Sequence, residues 1–220
     1  MVVVDRYSVG RRLATFLVVC IFAAGVSACS DSTGVPTSSD TMGVRTSNVQ
    51  VLLLTGAPSD MIASAGVWIS HVYLQGRVGE PEEDGGGRVD LFNDPGSPHH
   101  YDLLELQDGL TADLTGFVEI EAGLYQGLRL VLDSARVTLV EGLSFLDGTD
   151  TATLMVPSGS QSGIKVMLND DINAGEGEST TLTVNFDVDR NFVFQGGQGQ
   201  SAIRGVLFTP VLSELHRDGP

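Results

Sequence analysis

Gly159-Ser160-Gln161-Ser162-Gly163 sets two serines among glycines, the surroundings of a nucleophile held on a sharp turn. The central residue is Gln161, and no helical pattern follows it, so the segment reads as a tight connection. Gly197, Gly199 and Ala202 have the spacing of a dinucleotide fingerprint, but strand-like residues come next and no helix N-terminus is offered to a pyrophosphate. There is no P-loop and no HExxH pair. The histidines are His71, His99, His100 and His216. His99 and His100 lie near Asp94 and Asp102, a possible metal-ligand set, yet adjacent side chains on extended chain point apart. Asp187, Asp189 and Asn191 alternate, so on one strand they share a face and are the calcium candidates. Asn169-Asp170-Asp171 and the loop from Glu80 to Asp84 add oxygen donors, but Phe192 stands where an EF-hand loop needs glycine. Solvated strand faces on an acidic protein account for the same residues and are the favoured reading. No metal or cofactor is assigned, no general acid/base pair is singled out, and the chain is expected not to be an enzyme.

The elements that would position these residues are strands. NVQVLLLT (48–55) is dense in aliphatics and ends at Thr55-Gly56-Ala57-Pro58. GVWISHVYLQG (66–76) is rich in β-branched and aromatic residues. Residues 77–100 are acidic and full of Gly and Pro, an exposed loop with room for a short strand at RVDLF (88–92). YDLLELQDGL (101–110) leads into FVEIEAG (117–123), where Val118 and Ile120 share a face. In GLYQGLRLVLDSA (123–135), Leu128, Leu130 and Leu132 point one way and Arg129, Val131 and Asp133 the other. RVTLVEG (136–142), ATLMVP (152–157) and GIKVML (163–168) are further strands; 180–194 is long enough for two strands or one bent one, and VLFTPVLSEL (206–215) closes the set. No stretch of a dozen residues carries a 3.6-residue apolar stripe, so the fold class is all-β, a sandwich. Lys165 is the sole lysine, and a lone cation on a strand is expected to pair with a carboxylate on a neighbouring strand.

The amino terminus reads as an address. Arg6, Arg11 and Arg12 oppose a single Asp5, LATFLVVCIFAAGV (13–26) is apolar, and Val26-Ser27-Ala28-Cys29 resembles a bacterial lipobox. Residues 1–28 are then a lipoprotein signal peptide, and the thiol of Cys29 carries the lipid. By the same resemblance, Ser30 favours the outer membrane in a two-membrane cell; in a one-membrane cell the protein sits on the extracellular face. Residues 29–47, rich in Ser and Thr, are a flexible tether with a reach of roughly 20–25 Å. The domain is assigned to 48–215 and a tail to 216–220. The whole chain carries a formal charge of −16, from 12 basic and 28 acidic residues. Loss of residues 1–28 removes three arginines and one aspartate, leaving 9 against 27 and a charge of −18. Such a surface excludes general nucleic-acid binding. Cys20 goes with the signal and Cys29 is acylated, so neither a disulfide nor cysteine catalysis is available.

The domain also resembles a bacterial lipoprotein family known as domain of unknown function 4382. The resemblance is carried by TGAPSD (55–60), GVWISHVYL (66–74), EAGLYQGLRLVLDSARV (121–137), VPSGSQSGIKV (156–166), FDVDRNFV (186–193) and FTPVL (208–212). Gly56 stands where the family has Asp, and Glu121-Ala122-Gly123 replaces Pro-Ala-Gly. The resemblance implies an immunoglobulin-like or transthyretin-like sandwich and no activity. Gly123 and Tyr125 suit a turn into a strand, with the ring capping the core as corner tyrosines do. The expected function is a non-catalytic, membrane-anchored envelope lipoprotein whose β-sandwich binds or braces a partner, either an envelope protein or a polysaccharide. The alternative is a ligand-binding module for glycan or calcium using Trp68 or Tyr73: a crevice lined by them would favour it, their burial would count against it. A cleft joining His71, a serine and a carboxylate would point instead to hydrolysis.

Overall fold

The computed structural model describes residues 45–55, 60–77, 87–156, 162–196 and 202–219. The strands are β1 (Thr46–Thr55), β2 (Ile62–Arg77), β3 (Val89–Asn93), β4 (His99–Asp102), β5 (Ala112–Asp113), β6 (Val118–Glu121), β7 (Gly123–Leu139) and β8 (Ser144–Phe145). They continue with β9 (Thr151–Leu154), β10 (Ile164–Met167), β11 (Ile172–Ala174), β12 (Ser179–Phe186), β13 (Phe192–Gln195), β14 (Ala202–Ile203), β15 (Gly205–Phe208) and β16 (Leu212–Asp218). The described helical elements are a 3-10 turn, Leu103–Leu106, and one α-helical turn, α1 (Val188–Asn191), with Ser162 also helical. The all-β expectation is borne out.

One curled sheet runs in the order β3-β2-β7-β10-β16-β12-β1-β5. β10 joins its halves, lying antiparallel to β7 on one side and parallel to β16 on the other. The first half is built on the long pairing of β2 with β7. The second is built on β1, which lies parallel to β12 and antiparallel to β5 and β6. Alternation decides which side chains meet: Val49, Val51 and Leu53 of β1, Leu182, Val184 and Phe186 of β12, and Leu128, Leu130 and Leu132 of β7 belong to one fully buried core. Their removal from water is the main force holding the fold.

Four boundaries differ from the sequence reading. β1 begins at Thr46, so Thr46 and Ser47, assigned to the tether, are strand residues paired with β6. β7 is a single strand through Leu139, because a bulge at Asp133 absorbs the irregularity instead of ending it. The segment 206–215 divides into β15 and β16 around Pro210, which has no N–H to give a ladder. β16 then continues through His216, Arg217 and Asp218, which pair with Thr183, Leu182 and Thr181, so these are strand rather than tail. Cys29 and the tether up to residue 44 lie outside the described residues, as does the loop Glu80 to Asp84.

Candidate functional site

The side chains able to meet a ligand gather on the outward face of the first half. β2 and β7 each carry one extra residue, Ser70 and Asp133, where their register shifts. The two bulges face each other, and Ser70 Oγ donates to Asp133 Oδ1 at 2.5 Å. The compensation keeps both strands in phase. Val67, Ile69, Val72 and Leu74 all turn inward, leaving Gly66, Trp68, His71 and Tyr73 on the opposite face.

At one end of this face Trp68 pairs with His100 on β4 and with Ser134 on β7. The two rings lie 4.4 Å apart, and the Arg136 guanidinium stands 5.3 Å from the indole. A Cβ at Gly66 would meet the Trp68 ring at 3.3 Å and His100 Nε2 at 2.8 Å, so glycine makes the room the rings occupy. Trp68 is half-buried while His100 and Arg136 are exposed.

In the middle, His71 Nε2 lies 2.8 Å from Asp90 Oδ1. Arg88 Nη2 lies 2.7 Å from the imidazole nitrogens, and the guanidinium covers the Tyr73 ring at 4.0 Å. Partial burial pushes the Asp90 carboxyl up, but hydrogen bonds and charge from His71 and Arg88 outweigh it and hold it below the ordinary aspartate value. Tyr73 is buried, and its hydroxyl donates to the Ser162 carbonyl at 2.8 Å. His71 and a carboxylate are therefore together, but the neighbouring serine hydroxyl is spent on Asp133, and among the described residues no Ser-His-Asp arrangement forms.

Further along, Tyr73, Arg129 and Lys165 stand in register across β2, β7 and β10, on one face. Arg129 donates to Gln75 Oε1 and to the carbonyls of Ser162 and Gly163. Gly163 has φ +69, and an added Cβ would press on Arg129, Leu130 and Val131 at 3.3 Å. Lys165 sits beside Arg129 and not, as the sequence suggested, against a carboxylate: among the described residues neither forms an ion pair, and neither does Arg136.

Residues nominated from sequence as metal ligands are spent elsewhere. Asp187, Asp189 and Asn191 do not alternate on a strand, because the chain coils into α1 between β12 and β13. Asp187 caps that turn, accepting from the Arg190 N–H at 3.2 Å. Asn191 is fully buried; its amide donates to the Val211 carbonyl at 3.2 Å and accepts the Val211 N–H at 2.7 Å. At Asp189, partial burial together with the Asp187 and Asp60 charges pushes the carboxyl up. His99 stacks on Phe92 while His100 stacks on Trp68, and Asp102 receives Ser64 Oγ and the N–H groups of Ala65 and Leu104. The Asp170 and Asp171 carbonyls are held by Arg217, itself paired with buried Glu214. Among the described residues no three His, Cys, Asp or Glu side chains converge to hold a metal ion. A groove lined by Gln126, Lys165, Met167 and Asn169–Asp171 is open, but neither Trp68 nor Tyr73 reaches it.

Sequence reasoning singled out Trp68, Tyr73 and Lys165 but missed Arg88, Arg129 and Arg136 as their companions. The signal was present for Arg129 in the alternation of β7, which sets it on the face opposite the buried leucines; Arg136 joins that face only because the bulge at Asp133 shifts the phase.

The architecture and this face define an all-β domain with a mixed aromatic and cationic surface. The family described as domain of unknown function (DUF4382) matches residues 46–204, and the chain belongs to it. The FTPVL segment (208–212) lies beyond the match but is joined to it through Asn191. No curated protein and no solved structure matches the chain.

Proposed function

We propose that this protein is a non-catalytic lipoprotein of the bacterial cell envelope, anchored through Cys29, that displays its DUF4382 domain on a tether to bind or brace a partner. The observation that carries the reading is the order of a basic segment, a short apolar run and Val26-Ser27-Ala28-Cys29, followed at once by a Ser/Thr-rich stretch. The domain supports it from the other side. Its Ser70 and Asn191 side chains are engaged in structural hydrogen bonds, and the outward face of β2, β7 and β10 offers a partner a surface.

Cys29→Ala tests the anchor. The full chain is expressed in a bacterial host with labelled palmitate, and membrane and soluble fractions are compared. The variant is expected to lose the label and leave the membrane fraction. Labelling that persists in Cys29→Ala overturns the reading.

A further inference from the structure

The outward face of β4, β2, β7 and β10 has an uneven distribution of satisfied charge. Its carboxylates are committed: Asp133 to Ser70, Asp90 to His71 and Arg88, Asp102 to Ser64 and two backbone N–H groups. Of its cations, Arg88 is held by Asp90 and Arg129 donates to Gln75 and two carbonyls, but Arg136 and Lys165 are not committed. Arg136 leans on Trp68 and Lys165 stands beside Arg129, with no carboxylate on any of the three among the described residues. In a mature chain with 27 acidic and 9 basic residues, carboxylates are plentiful, so two cations on one face with no carboxylate among the described residues, Arg136 and Lys165, mark a place kept for an outside anion. Arg129 and Arg136 are seven residues apart on one strand, about 23 Å by strand rise. The cations therefore stand towards the two ends of a face whose middle holds Asp90 and Asp133, a spacing that suits a chain bearing repeated negative groups.

Trp68 decides what kind of chain. The half-buried indole, with the His100 ring and the Arg136 guanidinium against it, offers an apolar edge between hydrogen-bonding groups, which suits the C–H face of a sugar ring and its hydroxyls. We infer that this face binds an acidic polysaccharide, its carboxylates on Arg136 and Lys165 and a sugar ring on Trp68. The inference names the partner of the displayed domain and so rests on the binding reading above, but it does not require the lipid.

The test uses the full chain in detergent micelles, lipidated and as Cys29→Ala, run by affinity electrophoresis through gels containing polygalacturonate, neutral dextran or polyglutamate. Polygalacturonate alone should retard both forms, and less so as salt rises. Arg136→Gln with Lys165→Gln, two exposed side chains, should weaken retention about tenfold, the scale of two exposed charge contacts. Trp68 is the single tryptophan, so its fluorescence should shift with polygalacturonate in the unsubstituted protein and reports binding without any variant. No retardation and no shift overturns the inference, as does retention unchanged in the double variant. Equal retention by polyglutamate overturns the sugar assignment in favour of an acidic protein. Self-association abolished by the double variant overturns it in favour of a second copy of this chain. If Cys29→Ala binds while keeping its label, the anchor reading fails and this one stands.

Discussion

Tyr125 shows how one side chain can close a corner of this fold. Its ring is fully buried and its hydroxyl donates to the Glu121 carbonyl at 2.7 Å, tying the start of β7 to the end of β6. The sequence reading of Gly123 and Tyr125 as a turn with a capping ring is borne out at this position. Tyr125→Phe keeps the ring and leaves that carbonyl without the phenol. A loss of about 1–2 kcal/mol is expected in denaturant unfolding, with unchanged slope. Asp90 gives the pH counterpart. Its carboxyl is held below the ordinary value, so its stabilising contribution is complete above about pH 4 and fades as pH falls through the lowered folded-state value. Acid unfolding of the wild type and Asp90→Asn should therefore converge below about pH 4 and separate above it, with the wild type more stable. The gap is expected to be small, since Asp90 and Arg88 are both 43% exposed along their side chains. Equal stability at pH 7 would show that the His71 and Arg88 contacts contribute nothing.

Among the elements, α1 and the chain before β16 form one joint. Asn191 bonds both backbone groups of Val211, and the Thr209 N–H donates to the Asn191 carbonyl. FDVDRNFV and FTPVL, two segments that carry the family resemblance, are thus two sides of one hydrogen-bonded contact. Asn191→Ala strands two backbone groups in a buried setting and should cost about 2–4 kcal/mol. Millimolar calcium should leave the melting temperature of the wild type unchanged, because Asn191 is already engaged; a clear rise would return α1 to consideration as an ion site. The sequence could not show this. Period-two spacing of Asp187, Asp189 and Asn191 is compatible with a strand, and only the Asp187 cap and the buried Asn191 amide turn the segment into a helical turn. Alternation along β7 was legible because its leucines face a core. The bulge at Asp133 was not, because its cause is a hydroxyl 63 residues away on β2.

At the scale of the molecule, the all-β class followed from short alternating runs with turn residues between them, whereas strand order is set by contacts between distant segments. Nothing in NVQVLLLT announces a parallel partner, yet β1 lies along β12 from Asn48 opposite Ser179 to Thr55 opposite Phe186. The candidate face was half legible for the same reason. Its residues come from β2, β4, β7 and β10, and their neighbourhood exists only once the sheet has formed.

The placement of β1 also sets a timetable. The Thr55 hydroxyl donates to the Phe186 carbonyl across 131 residues, so the first strand to leave a ribosome or an export channel has its parallel partner among the last. Closing so long a loop before any gain is slow. Until β12 emerges, β1 has only the short β5 and β6 to pair with, so its longest ladder closes late.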